Sequence, residues 1–153
     1  MDLHLGGKSV LITGASKGIG LACAHGFAAE GCNLHLASRT QADLEAARAA
    51  IVSKYDVEVT IHALDISDSS NVDILADRCA DIDILVNNAG AIPAGDIQAI
   101  DEKTWREAWD LKVFGYINMT RRFYPLLKDS GGGVILNIIG LAGVRVDPKY
   151  VAG

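Results

Sequence analysis

Five short, almost uninterrupted apolar runs, each followed by a stretch with helical spacing, restrict the possible folds of this chain more than any other feature. The runs are "SVLITG", "CNLHLAS", "VEVTIHAL", "IDILVNN" and "GGVILNIIG". Their apolar residues lack the strict period-two alternation of a strand with one wet face. Between them stand "GIGLACAHGFAAEG", "TQADLEAARAAIVSKY", "SDSSNVDILADRC" and a long pattern over about 103–128, all with helical periodicity. Strands buried on both faces and alternating with helices pair in parallel, through right-handed crossovers. The expectation is an α/β fold: a doubly wound parallel sheet with helices on both faces, ending after its fifth strand. That last strand should be buried. The first helix should pack through Ile19, Cys23, Gly26 and Phe27, and the second, opened by Thr40 as N-cap, through Leu44, Ala47 and Ile51. With no linker or repeat, residues 1–153 suit one domain.

Fourteen Lys and Arg stand against nineteen Asp and Glu, a net charge of -5. Nucleic acid and anionic membrane both demand a cationic surplus, so neither is expected as a partner. No stretch reaches the about 18 uncharged apolar residues that a membrane span needs. Cys23, Cys32 and Cys79 form an odd, scattered set behind a start with no secretory pattern, which points to reduced thiols in the cytoplasm. His4, His25, His35 and His62 have no i,i+4 pair and no cysteine at ligand spacing, so no metal site is expected.

The first strand-to-helix turn, "TGASKGIG", places Gly14, Gly18 and Gly20 around Ser16, Lys17 and Ile19. A strand turning straight into a helix needs positive φ or a missing Cβ, and a pyrophosphate approaches backbone only where side chains are absent. The helix N-terminus then offers free N–H groups and the positive end of its dipole to that anion. A glycine-rich turn that binds nothing is the plain alternative. The position after the first strand and before the first helix favours a dinucleotide.

The spacing TGxxxGxG resembles that of the short-chain dehydrogenase/reductase family. Two further segments resemble its motifs: "NNAG" at 87–90 after the fourth strand, and "LDISD" after the third. The resemblance covers nearly the whole chain and implies a Rossmann-type fold that binds a nicotinamide dinucleotide. The implied cofactor residues are Gly14, Ser16, Lys17, Gly18, Ile19, Gly20, Ser38, Arg39, Asp65, Ile66, Asn87, Ala89 and Gly90. An NAD enzyme ends its second strand with an acid for the ribose 2′-hydroxyl, whereas NADP needs a cation there. This strand ends in Ser38 and Arg39, with Lys17 nearby, so NADP is expected rather than NAD.

The resemblance also implies a catalytic set: a tyrosine acid/base, a lysine four residues later, a serine after the fifth strand and an asparagine in the long helix. Here Gly140 stands at the serine position and Lys112 at the asparagine position, while the lysine would fall beyond Gly153. Tyr150 lies ten residues past Gly140, closer than the family's spacing of about a dozen. Two readings of Tyr150 fit: a catalytic tyrosine after a shortened loop, or a residue on a loose tail. Lys112 shares a helical stripe with Trp105, Trp109 and Tyr116, and is either a solvated cation on an aromatic stem or a cation facing the pocket. The family continues through further helices and strands, so chain 1–153 by itself is expected to turn nothing over and to leave an apolar face open. The family also implies self-association through the long helix and a small carbonyl or alcohol as substrate. The activity expected is NADP-dependent hydride transfer. A non-catalytic NADP-binding protein is the alternative, and a flavodoxin-like domain with another ligand is the remote third.

Overall fold

The computed structural model describes residues 3–141 and 144–153. Five parallel strands form one sheet: β1 (Ser9–Thr13), β2 (Asn33–Ser38), β3 (Val59–Ala63), β4 (Ile84–Asn87) and β5 (Val134–Asn137). Their spatial order is β3-β2-β1-β4-β5, so the chain reverses direction of travel at β1 and resumes at β4. The helices are α1 (Gly18–Ala29), α2 (Gln41–Val52), α3 (Ser69–Arg78), α4 (Glu102–Trp109) and α5 (Gly115–Asp129).

The strand pleat separates two cores. Val10, Ile12, Leu34, Leu36, Ile84 and Val86 point to one face, where α1 and α2 add Ala24, Ala28, Leu44, Ala47 and Ile51. Leu11 and Leu85 point to the other, where Val72 and Leu75 of α3 meet Met119, Phe123 and Leu127 of α5. The near-continuous hydrophobicity of β1 and β4 is thus accounted for by a helical layer on each side. The expected face of α2 is the observed one, and Thr40 is at its N-cap position, though its side chain makes no capping bond.

Three expectations are corrected. The buried face of α1 is centred on Gly20, Ala24 and Ala28, about one residue round from the expected stripe, while Ile19 is 62% exposed. Small residues let the helix axis approach the sheet, and the larger Cys23 and Phe27 pack only at the margin of that contact. The long helical pattern is interrupted by a π-helical turn, Asp110–Phe114, marked by a bond from the Gly115 N–H to the Asp110 carbonyl. Buried Gly115 sits there against Ile66, where a Cβ would come 3.5 Å from the Ile66 side chain. Finally, β5 is an exposed edge strand, with Val134 55% and Leu136 40% accessible. α5 covers the side that holds Ile135; no described element covers the other, which leaves the apolar face that was expected.

Candidate dinucleotide site

At the carboxyl ends of the strands, where the connections from β1 and β4 part in opposite directions, lies a cavity of about 610 Å³. In open α/β sheets this crevice is the place for a ligand. Its wall includes Gly14, Ser16, Lys17 and Ile19 from the first turn, and Ser38 and Arg39 from the end of β2. Asp65 and Ile66 follow β3, and Ala89 and Gly90 follow β4. Lys112 and Tyr150 line the same cavity.

The first turn has the geometry that its glycines imply. Gly14 has φ +65° and Gly18 φ +58°, conformations that side-chain-bearing residues avoid. Gly20 is helical and has no positive φ; its requirement is space, because a Cβ would run into the Gly14 carbonyl oxygen and stand 2.5 Å from Asn88 Nδ2. Gly18 and Gly20 therefore shape the turn without lining the cavity themselves. Lys17 is the N-cap of α1 and gives no side-chain cap, and no acid occupies the first turn. The amides at this helix end are left for an anion, as the dipole favours. At the end of β2, Ser38 Oγ is buried and has no hydrogen-bond partner among the described residues. An unmatched hydroxyl in the wall and an uncapped helix N-terminus fit a polar, phosphate-bearing dinucleotide.

Asn87 is corrected. It is fully buried at the end of β4, where its Nδ2 donates to Asn137 Oδ1 at 2.9 Å and Thr120 Oγ1 at 3.3 Å. It ties β4 to β5 and α5 from behind the cavity. The cavity-facing asparagine is Asn88, which the sequence reading did not single out. Its neighbour Thr13 and the acid Asp43, in the first turn of α2, also line the wall and were not anticipated. The spacing of Asp43 four residues past Arg39 was the available signal, since that places it on the first turn of a helix beside the β2 terminus.

Lys112 lies at the centre of the π turn. Its ammonium donates to Tyr116 Oη at 2.5 Å and to the Ile138 carbonyl at 2.8 Å, and Tyr116 Oη donates to the same carbonyl at 2.9 Å. A Cβ on Gly90 would strike the Lys112 stem, so the absence of a side chain there lets the lysine cross the cavity wall. Burial lowers the Lys112 pKa from its ordinary value and pushes that of Tyr116 up to about 12. An ammonium has three N–H donors, and two are engaged, which leaves one for a ligand. The solvated-stem reading of Lys112 is replaced by a cation held against the site.

Tyr150 is not on a loose tail. The Gly95 N–H donates to the Lys149 carbonyl at 2.6 Å, and the Val151 N–H to the Gly95 carbonyl at 3.2 Å. Trp109 Nε1 donates to the Ala152 carbonyl at 3.0 Å. These bonds hold the segment against the loop after β4 and set Tyr150 at the cavity. They also give Trp109 a role outside the core, where it stays 42% exposed with Trp105 packed edge-on at 6.4 Å. Gly140, in the expected serine position, lines the cavity and contributes no hydroxyl.

The model of the short chain dehydrogenase family matches residues 8–152. Among curated relatives, the sulfoacetaldehyde reductase of Chromohalobacter salexigens is 39% identical over 88% of this chain and 54% of that protein. The NADP-dependent 3-hydroxy acid dehydrogenase of Schizosaccharomyces pombe is 36% identical over 98% of this chain and 59% of that protein. Among solved structures, L-sorbose reductase from Gluconobacter frateurii, complexed with NADPH and L-sorbose, superposes with a TM-score of 0.94 at 32% identity, covering 99% of this chain and 59% of that one. An NAD+-bound xylitol dehydrogenase superposes with a TM-score of 0.89 at 28% identity, covering 97% and 58%. The chain thus spans somewhat over half the length of the proteins it matches. With its five-stranded order, its glycine turn and the match over residues 8–152, this chain belongs to the short-chain dehydrogenase family.

Proposed function

We propose that the protein is an NADP(H)-dependent oxidoreductase acting between a carbonyl and the corresponding alcohol on a small molecule. The observation that carries this reading is the single cavity in which the Gly14–Ile19 turn, Ser38, Arg39, Asp65, Lys112 and Tyr150 meet. When bound, the nicotinamide supplies or accepts the hydride. The chain's own residues do the rest. The α1 amides hold the pyrophosphate, and Asp65 and Ile66 border the adenine end. Arg39, helped by Lys17, holds the 2′-phosphate, as a guanidinium can in bidentate fashion. The free N–H of Lys112 steadies a substrate or ribose oxygen, and the Tyr150 hydroxyl gives a proton to the carbonyl oxygen in reduction and takes it back in oxidation.

The choice of NADP rests on Ser38 at the end of β2 and Arg39 just after it, with no acid at either position. Asp43 lies one helical turn on, and its charge is the feature that works against a phosphate. The solved structures this chain resembles hold both dinucleotides, since one is complexed with NADPH and another is NAD+-bound. Titration of the full-length protein decides the matter. Arg39→Asp is expected to weaken NADPH at least tenfold more than NADH, and equal losses would end the NADP assignment.

A second reading is favoured by Gly140: a protein that binds the dinucleotide without turning substrate over. Self-association is part of the proposal. Phe114, Ile117 and Tyr124 are 43–59% exposed along one helical stripe of the π turn and α5, and a second copy would bury them. No helix among the described residues is long and apolar enough to cross a membrane. Three unpaired cysteines agree with a cytoplasmic setting.

A further inference from the structure

We propose that His35, His62 and Cys79 form a binding site for a borderline-soft divalent cation of the Zn2+ kind, separate from the dinucleotide cavity. His62 follows His35 by 27 positions and Cys79 follows His62 by 17, and the three come from three elements. His35 is on β2, His62 on β3, and Cys79 is the C-cap of α3. The strand pleat puts both histidines on the α3 side of the sheet, because their neighbours Leu34, Leu36 and Ile61 face the α1–α2 core. Their ligand atoms all lie within 4.8 Å of one another, and none of the three lines the dinucleotide cavity.

The two spacings about His62 are close to what such a cation requires, and the His35–Cys79 pair, within 4.8 Å, would draw together on binding. With Zn–N of about 2.05 Å and Zn–S of about 2.3 Å, tetrahedral ligands stand about 3.4 Å apart for N and N and about 3.6 Å for N and S. His62 Nε2 is 3.1 Å from His35 Nδ1 and 3.5 Å from Cys79 Sγ. The setting is closed to solvent. His62 and Cys79 are 4% and 0% exposed, inside a layer of Leu11, Ala76, Ile82 and Leu85. A cation of this kind takes the imidazoles in their neutral form and the cysteine as its thiolate. On binding, the Cys79 S–H bond breaks, the sulfur pair goes to the metal and one proton leaves to solvent past half-buried His35. The two imidazoles each donate a lone pair, and the fourth position is left to water. The charge of Asp81 acts on both His35 and Cys79 and compensates the cation, whereas Arg78 opposes it.

Such a clip would fasten β2, β3 and the end of α3 together. His35 and His62 each stand three residues before a cavity residue, Ser38 and Asp65 respectively.

The test is calorimetric titration of the chelator-stripped, full-length protein with Zn2+ alone, repeated in two buffers of different ionisation heat. One equivalent should bind with release of about one proton, and the melting temperature should rise with Zn2+. Cys79→Ala and His62→Gln should each weaken binding at least 100-fold, while Cys23→Ser leaves it unchanged. Co2+ in place of Zn2+ should give a thiolate-to-metal charge-transfer band that Cys79→Ala lacks. If Cys79→Ala does not fold, His35→Asn, at a half-buried position, carries the comparison. Zn2+ binding that is unaltered in these variants, or a cobalt complex without the thiolate band, would overturn the site.

Discussion

Asn88 clasps Thr13 from two directions. The Asn88 backbone N–H donates to Thr13 Oγ1 at 3.0 Å, and its Nδ2 donates to the Thr13 carbonyl at 2.9 Å. The Ala89 N–H reaches the same hydroxyl at 3.0 Å, and Asn88 Nδ2 also bonds the Gly14 carbonyl at 3.2 Å. The loop after β4 and the glycine turn after β1 are thereby fastened into one cradle, with the buried threonine hydroxyl as its pin.

Thr13→Val keeps the shape of the side chain and removes that pin. Two amide donors, from Asn88 and Ala89, lose their acceptor in a half-buried place, at about 1–2 kcal/mol for each group left unpaired. Urea unfolding should show stability lower by about 2–4 kcal/mol at unchanged m-value, together with weaker dinucleotide binding. A variant as stable as the parent would mean the hydroxyl is not what joins the loops.

Gly20→Ala and Gly18→Ala separate space from conformation. The alanine at 20 meets the Gly14 carbonyl and Asn88 at distances no real Cβ tolerates, so the turn has to shift. We expect at least tenfold loss of NADPH affinity. At 18 the methyl group points into open space and only the positive φ is strained, at about 1–2 kcal/mol. The expected order of damage to binding is Gly20 over Gly18, and fluorescence titration of the two variants checks it.

Tyr150→Phe tests the chemistry apart from binding. Loss of the proton donor should lower kcat at least 100-fold in the full-length enzyme, with the Kd for NADPH within about twofold. Turnover that survives in Tyr150→Phe would assign the proton step to another group, and a parent protein that binds NADPH without turnover would favour the non-catalytic reading.

Tyr116 makes stability depend on alkaline pH. Its phenol, raised to about 12 by burial, keeps its proton in the folded state where the unfolded chain loses it from about pH 10. The unfolded state then binds fewer protons, so stability falls as pH rises from about 10 to about 12, by about 1.4 kcal/mol per pH unit at most. Spectrophotometric titration should show one of the four tyrosines ionising last, and Tyr116→Phe should remove that transition.

The sequence by itself determined the sheet, its layers and the glycine turn at the end of β1. Those are local or periodic properties: apolar runs that need cover on both faces, helical spacing between them, and glycines at a strand-to-helix junction. Leu44, Ala47 and Ile51 were therefore legible as a buried face, and Gly14 and Gly18 as turn positions. What the tertiary structure decided were relations between distant segments. Which asparagine of "NNAG" faces the cavity depends on how β4 pairs with β5, since Asn87 turns to Asn137 while Asn88 turns to Thr13. The place of Tyr150 depends on a bridge to Gly95, and that of Lys112 on a π turn and on the missing side chain of Gly90. His35, His62 and Cys79 carry no common spacing, because what unites them is the register of β2 on β3 and the packing of α3 above it. Periodicity reports which way a side chain faces within its own element. Only the packing of elements against each other sets which side chains meet.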